Sequence, residues 1–98
     1  SSLANNNNII PSEFEIMNLY PNPFNPQINI EYNLPNTSKV RVSIYNLKGQ
    51  EVDRLVDSIQ LIGFHSLTWF ATGQNSGIYF VQITADTDII NRKIMYLK

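Results

Sequence analysis

The chain contains no cysteine and one histidine among its 98 residues. Without cysteine it can form no disulfide, no thiol nucleophile and no cysteine-based zinc site. With His65 as the lone imidazole, two-histidine metal sites are excluded, and any nucleophile–base pair would depend on that one ring. We therefore predict that the chain is not an enzyme, that it has no catalytic or metal-binding residues and that it needs no cofactor.

Charge and long apolar runs are also scarce. Charged residues make up 15% of the chain and the formal net charge is −1, so the sequence lacks the basic surface that nucleic acids or anionic membranes require. No apolar run approaches the roughly 18 residues of a membrane-spanning helix, so no membrane span is expected. Hydrophobic residues, at 43%, suffice for one modest core. We expect a single domain and a monomer.

The first ten residues differ in character from the rest. Residues 5–8 are four consecutive asparagines, and Leu3 is the lone apolar anchor of the first eight positions. This composition predicts a flexible linker over 1–10 and a folded domain over 11–98. The chain begins with serine and carries no signal-like segment, which favours a module of a longer protein.

Beyond Pro11 apolar residues recur with a period of two, which is typical of half-buried strands. The alternation is clear in 27–34, 40–45, 63–69 and 77–83, and weaker strands are expected at 14–19, 51–56 and 89–97. About seven short strands separated by turn signals predict an all-β fold, a seven-stranded antiparallel β-sandwich of the immunoglobulin or fibronectin III type. The expected core includes Ile30, Val42, Leu67, Trp69 and Tyr79, with Trp69 and Tyr79 as its aromatic pin.

One segment allows two interpretations. Residues 51–56 follow a turn at 46–49 and predict a return strand, but their alternation slips by one, which indicates a bulge near Arg54. A helix over 51–62 is the alternative, because Val52, Leu55, Val56 and Ile59 also fit a 3.6-residue period. A helix of twelve residues without a good cap would be marginal, so the strand is favoured.

The most specific local feature is the proline-rich segment, defined as Tyr20–Pro26. Its three prolines fix φ and remove three backbone donors, so the segment cannot be a central strand. Residues that precede prolines favour extended geometry, which predicts a stiff, extended crossing with exposed carbonyls and a protruding Phe24. Such a segment could cover a sheet edge, present a surface to a partner, or do both.

This segment is one of several blocks by which the chain resembles the type A C-terminal sorting domains of the type IX secretion system of Bacteroidetes. Those domains are related to the Ig-like domain of flagellar hook-capping proteins. The further blocks, in order, are 44–52, Gly63–His65 with Trp69, 76–80, and the basic tail from Arg92 to Lys98. Together they cover nearly the whole chain from Pro11. The family usually has Thr at position 28 and Asp or Asn, then Gly, after the tryptophan, where this chain has Ile28 and Phe70-Ala71; the second difference predicts an exposed ring.

The resemblance implies a non-catalytic label that directs an attached secreted protein across the outer membrane. Its implied partners are a covalently linked N-terminal cargo, the outer-membrane translocon and a sortase-like peptidase that removes the label at the surface. The implied location is secreted or at the cell surface, reached through the periplasm. The linker would then be the tether to the cargo and a region where processing could occur.

We expect recognition to involve the proline-rich segment, the start of one strand and the basic tail. A glycine can open a strand where a side chain does not fit, and the tail strand offers an edge and positive charge to a partner that adds a strand. The predicted recognition residues are Pro21, Asn22, Pro23, Asn25, Pro26, Gly77, Tyr79, Arg92, Lys93 and Lys98.

Two functions from other classes remain open. A carbohydrate-binding or adhesive module would need coplanar exposed aromatics, for which Tyr45, Phe64, Phe70 and Phe80 are candidates. A passive structural spacer is the other.

Asp86 and Asp88 are too few for a calcium shell and predict a solvated turn. Ser66 and His65 cannot form a nucleophile–base pair, because adjacent strand residues point to opposite faces. His65 is instead expected to be a packed or hydrogen-bonded strand residue.

Overall fold

The computed structural model describes residues 15–98, with side chains from Asn18 onward. The predicted linker, and Phe14 at the start of the first predicted strand, lie outside these residues. Seven strands follow one another along the chain: β1 (Glu15–Tyr20), β2 (Gln27–Leu34), β3 (Ser38–Asn46), β4 (Glu51–Gln60), β5 (Gly63–Phe70), β6 (Gly77–Ala85) and β7 (Asp88–Tyr96).

The strands form two antiparallel sheets. One has the order β1-β2-β5 and the other the order β4-β3-β6-β7. This three-plus-four division confirms the predicted seven-stranded β-sandwich. Across the described part of the chain, no helix has the length and apolar character needed to cross a membrane.

The core lies between the sheets and follows the period-two pattern of the sequence. On β2, for example, Ile28 and Ile30 are fully buried while Gln27 is exposed. Each such side chain contributes roughly 1.5–3 kcal/mol when it leaves water. The expected core positions Ile30, Val42, Trp69 and Tyr79 are buried, and Leu67 is partly buried against them. The apolar residues of the core are Phe24, Ile28, Ile30, Tyr32, Leu34, Val40, Val42, Ile44, Trp69, Ala71, Tyr79, Val81, Ile83, Ala85, Ile94 and Tyr96.

The helix considered for 51–62 is wrong, because residues 51–60 form the edge strand β4. Its register against β3 shifts twice, leaving Leu55 and then Val52 as the extra residue of a bulge. The first of these confirms the bulge predicted near Arg54. Each bulge inserts one extra residue, which shifts by one the alternation of inward and outward side chains along β4. With these shifts, Val52, Leu55 and Val56 all pack against the core. Their helix-like spacing therefore arises from two bulges in a strand.

The strands run between two opposite ends of the sandwich. The proline end comprises the proline-rich segment, the turn at 46–50, the loop at 71–76 and residues 96–98. The far end comprises the start of β1, residues 35–37, the β4–β5 connection and the β6–β7 turn. The long dimension of the domain is 48 Å. Residues at the two ends are therefore well separated.

The turn at 46–50 has the form that its sequence predicts. Gly49 has φ +81° and its N–H donates to the carbonyl of Asn46 at 3.0 Å. The side-chain oxygen of Asn46 accepts from the N–H groups of Lys48 and Gln50. Only glycine adopts this φ at little cost, and asparagine supplies the missing acceptors, so the pair sets the β3–β4 connection.

The buried Tyr32 makes alkaline stability testable. Burial raises the pKa of its hydroxyl to about 12, against a smaller opposing effect of its hydrogen bond to Gln60. In the unfolded chain the pKa is about 10, so this contribution to stability is complete below pH 10 and is lost as the pH rises through about 12. The difference in free energy of unfolding between the parent and Tyr32→Phe should therefore shrink over that window. Denaturant unfolding of both proteins should be measured at each pH; the other tyrosines are present in both and so drop out of the difference. A difference that stays constant between pH 10 and 12 would contradict the raised pKa of Tyr32.

Candidate recognition site

The proline-rich segment lies along the outer edge of β7 and pairs with it. The N–H of Phe24 donates to the carbonyl of Met95 at 2.9 Å, and its carbonyl accepts from the N–H of Leu97 at 3.1 Å. The side chain of Asn22 continues the ladder: its oxygen accepts from the N–H of Met95 at 3.0 Å, and its nitrogen makes a longer contact of 3.5 Å with the carbonyl of Lys93. The segment thus covers the terminal part of this edge, which is one of its two expected roles.

Phe24 corrects the sequence-based expectation, because it is 2% exposed and does not protrude. The segment also bends repeatedly, whereas an extended crossing with exposed carbonyls was expected. The physical reason is the pairing with β7, which turns the ring inward onto Tyr96 at a centroid distance of 5.2 Å. Phe24 is therefore a core residue that anchors the segment.

Four aromatic rings form a cluster beneath the segment. The ring centroids of Phe24 and Trp69 are 5.7 Å apart, and those of Trp69 and Tyr79 are 5.6 Å apart with the rings edge-on. This confirms the predicted pairing of Trp69 and Tyr79 as the aromatic pin of the core. The indole N–H of Trp69 donates to Asp53 at 2.9 Å, so its polar atom is satisfied. Such aromatic pairs contribute about 0.5–1.5 kcal/mol beyond their buried area. The cluster therefore fixes the position of the overlying backbone.

The loop at 71–76 is tied to the same structure. The N–H of Ala71 donates to the carbonyl of Pro26 at 2.8 Å, and the hydroxyl of Tyr79 donates to the carbonyl of Asn75 at 2.6 Å. The N–H of Lys98 donates to the hydroxyl of Ser76 at 3.1 Å. Asn75 and Ser76 were not among the predicted site residues, because loop composition does not reveal which distant groups a loop will bind. The proline-rich segment, the loop and the tail thus form one connected surface.

Gly77 and Tyr79 belong to this end but are not exposed partners. Tyr79 is 5% exposed, and its contacts are those of a positioning residue. Gly77 has φ +151°, and a Cβ built there meets nothing within 4 Å. The expectation that a side chain would not fit is therefore wrong, and the reason for glycine is the backbone conformation.

Most of the predicted recognition residues are exposed at or beside the proline end. Eight of the ten predicted recognition residues are exposed: Pro21, Asn22, Pro23, Asn25, Pro26, Arg92, Lys93 and Lys98. Arg92 and Lys93 are adjacent on β7, so their side chains point to opposite faces. Both ion pairs found among the described side chains involve Arg54, on β4. Within that part of the chain, Arg92, Lys93 and Lys98 therefore have no carboxylate partner.

The expected mode of binding at the tail needs correction. A partner was expected to add a strand to β7, but Phe24 and Asn22 already occupy the edge from Lys93 to Leu97. A partner can reach the positive side chains there without gaining the backbone groups. From Lys93 to Leu97, side-chain contact is therefore the mode that this surface allows.

Two weaker candidates are accounted for by local contacts. His65 stacks on Tyr32 at 5.4 Å, and its Nε2 lies 2.7 Å from the carbonyl of Leu61, as expected for a packed, hydrogen-bonded histidine. Asp86 accepts from the N–H of Lys39 at 3.0 Å in the β6–β7 turn. Among the side chains that the structure describes, from Asn18 onward, there is no group of three or more carboxylates, imidazoles or thiols placed to hold a metal ion.

The four aromatics considered for carbohydrate binding are divided between the outer faces of the two sheets, so they do not form one surface. Phe64 and Phe70 lie on the outer face of the three-stranded sheet, with exposed fractions of 56% and 58%. Tyr45 and Phe80 are cross-strand partners on the outer face of the other sheet and are partly buried. The exposed ring predicted after Trp69 is confirmed in Phe70.

The fold is an all-β sandwich, and most of the sequence blocks singled out above lie at or beside the proline end, whereas Gly63–His65 lies at the far end. Residues 18–97 match the family described as "Secretion system C-terminal sorting domain", and the chain belongs to that family. It is a C-terminal sorting signal for type IX secretion, which carries its protein to the cell surface or the medium. Domains of this family are not catalytic, and membership implies an N-terminal cargo and the type IX machinery. No curated protein and no solved structure matches the chain.

Proposed function

We propose that the proline end is the surface by which the type IX outer-membrane translocon recognises this domain. The observation that carries the proposal is the docking of the proline-rich segment on β7. The backbone of Phe24 and the side chain of Asn22 both form hydrogen bonds with the backbone of β7 or the residue after it, and these bonds hold the segment in place. A partner that binds it loses little conformational entropy, because proline and the buried anchor have already restricted the segment.

The exposed side chains define the chemistry of the partner. Asn22 and Asn25 offer amides, the three prolines offer rigid apolar surface, and Lys93 and Lys98 offer positive charge without a described carboxylate partner. A complementary surface would carry carboxylates beside a shallow apolar strip. Gly77 and Tyr79 act indirectly, since they hold the 71–76 loop and the start of β6 in place.

The position of the cargo is compatible with this assignment. The chain enters β1 at Glu15, which pairs with Asn33 at the far end. A cargo joined upstream of β1 would therefore leave the proline end accessible. In the same proposal residues 1–10 are the tether, and a sortase-like peptidase cuts within or near it once the cargo reaches the surface.

Export of a fusion tests the assignment. Residues 11–98 joined to the C-terminus of a reporter with a periplasmic export signal should carry the reporter into the medium or onto the surface of a host with a type IX system. The measurement is the extracellular fraction of reporter, by immunoblot of fractionated cells. The matched control is the same strain without a functional translocon, where the reporter should stay in the periplasm. Retention in both strains would overturn the proposal.

A further inference from the structure

The outer face of the three-stranded sheet forms a polar platform bounded by aromatic rings. Its floor consists of side chains that alternate with the core residues of β2 and β5: Gln27, Asn29, Glu31, Ser66 and Thr68. Three exposed rings surround it, Tyr20 on β1 and Phe64 and Phe70 on β5, with exposed fractions of 46%, 56% and 58%. Lone exposed apolar residues need no explanation, but three rings around one polar floor form a patterned surface.

The floor is held in place by its own hydrogen bonds. The carboxylate of Glu31 accepts from the side-chain nitrogen of Asn18 at 3.0 Å and from the hydroxyl of Tyr20 at 2.9 Å. Thr68 donates to the amide oxygen of Asn29 at 2.8 Å. These contacts do not use the amide nitrogen of Asn29 or all the lone pairs of the Glu31 carboxylate, so further hydrogen-bonding capacity remains. The platform therefore presents fixed donors and acceptors side by side.

The dimensions and charge of the platform favour one ligand class. Phe64 and Phe70 are six residues apart on one strand face, which separates them by about 20 Å. That span suits an extended chain of several sugar units. Glu31 is the single charged residue among those of the floor and its three rings, and no cation accompanies it. Anionic polymers are disfavoured on such a surface.

We infer that this platform binds a neutral polysaccharide, with Phe64 and Phe70 stacking on sugar rings and the amide, hydroxyl and carboxylate groups between them binding sugar hydroxyls. Sugar C–H groups match the negative face of an aromatic ring, and sugar hydroxyls both donate and accept. The binding is separate from secretion and adds a role to the sorting domain. It would hold the domain, together with any cargo still joined to it, on a glycan once the domain is outside the cell.

The test is affinity electrophoresis of the 98-residue chain through gels that contain a soluble neutral polysaccharide, with β-glucan, mannan and xylan used separately. An anionic polysaccharide, alginate, is the comparison. Retardation by at least one neutral polymer is expected, with weaker retardation by alginate. Phe64→Ala and Phe70→Ala should each weaken binding at least tenfold. Leu61→Ala is the matched control, because Leu61 is 70% exposed but lies off the platform.

Two results would overturn the inference. One is that no neutral polysaccharide retards the chain. The other is that Leu61→Ala weakens retardation as much as the two phenylalanine variants do, since that would indicate general adhesion of exposed apolar groups. The assay contains no secretion machinery, so an absence of polysaccharide binding would leave the proposed recognition by the translocon unaffected. Likewise, a failure of the export experiment would leave the proposed polysaccharide binding unaffected.

Discussion

Replacing Trp69 with alanine should destabilise the domain by about 3–5 kcal/mol. The indole is 2% exposed and contacts Phe24 on one side and Tyr79 on the other. Its loss leaves a cavity that two neighbouring rings cannot fill, and it removes the hydrogen bond to Asp53. Small domains have total stabilities of about 5–15 kcal/mol, so much of the fold's margin would be lost. Denaturant unfolding followed by circular dichroism measures the effect.

The adjacent residue provides the control. Phe70 is also aromatic but is 58% exposed, so Phe70→Ala should change the free energy of unfolding by less than about 0.5 kcal/mol. A cost below about 1 kcal/mol for Trp69→Ala would show that the aromatic cluster does not hold the proline end together.

Much of the fold follows from local patterns in the sequence. Alternation identified β2, β3 and β6, because a sandwich buries one face of each strand and a period of two is its direct consequence. The slip in alternation near Arg54 correctly indicated a bulge. Trp69 and Tyr79 were identified as core residues because they occupy inward strand positions. A sandwich without disulfides needs large aromatic side chains to fill the space between its sheets.

The proline end was harder to predict because its contacts are non-local. The three prolines define what the backbone of the segment cannot do, but they do not reveal what Phe24 will contact. The rings that Phe24 contacts are Trp69 on β5 and Tyr96 on β7, and no local pattern specifies that these strands meet. For the same reason the edge of β7 was expected to be open. The side chain of Asn22 forms hydrogen bonds with β7 that a neighbouring strand's backbone would otherwise form. Nothing in the sequence except its position between two prolines indicated this role.

The central claim, recognition at the proline end, predicts that reversing its charge will block export. Lys93→Glu combined with Lys98→Glu should reduce the extracellular fraction of a fused reporter at least tenfold. Both side chains are exposed and have no carboxylate partner among the described residues, so the change alters the surface potential while the core stays intact. The measurement is the extracellular fraction of reporter in a type IX host, made after both proteins show the same melting temperature.

The matched variant reverses two cations away from the proline end. Lys39 and Arg41 are exposed on β3 towards the far end, so Lys39→Glu with Arg41→Glu makes the same change in net charge. Export of this variant at the parent level, beside loss of export in the Lys93 and Lys98 variant, is the predicted result. Equal export by all three folded proteins would contradict recognition at the proline end, and equal loss in both variants would assign the effect to net charge instead of to this surface.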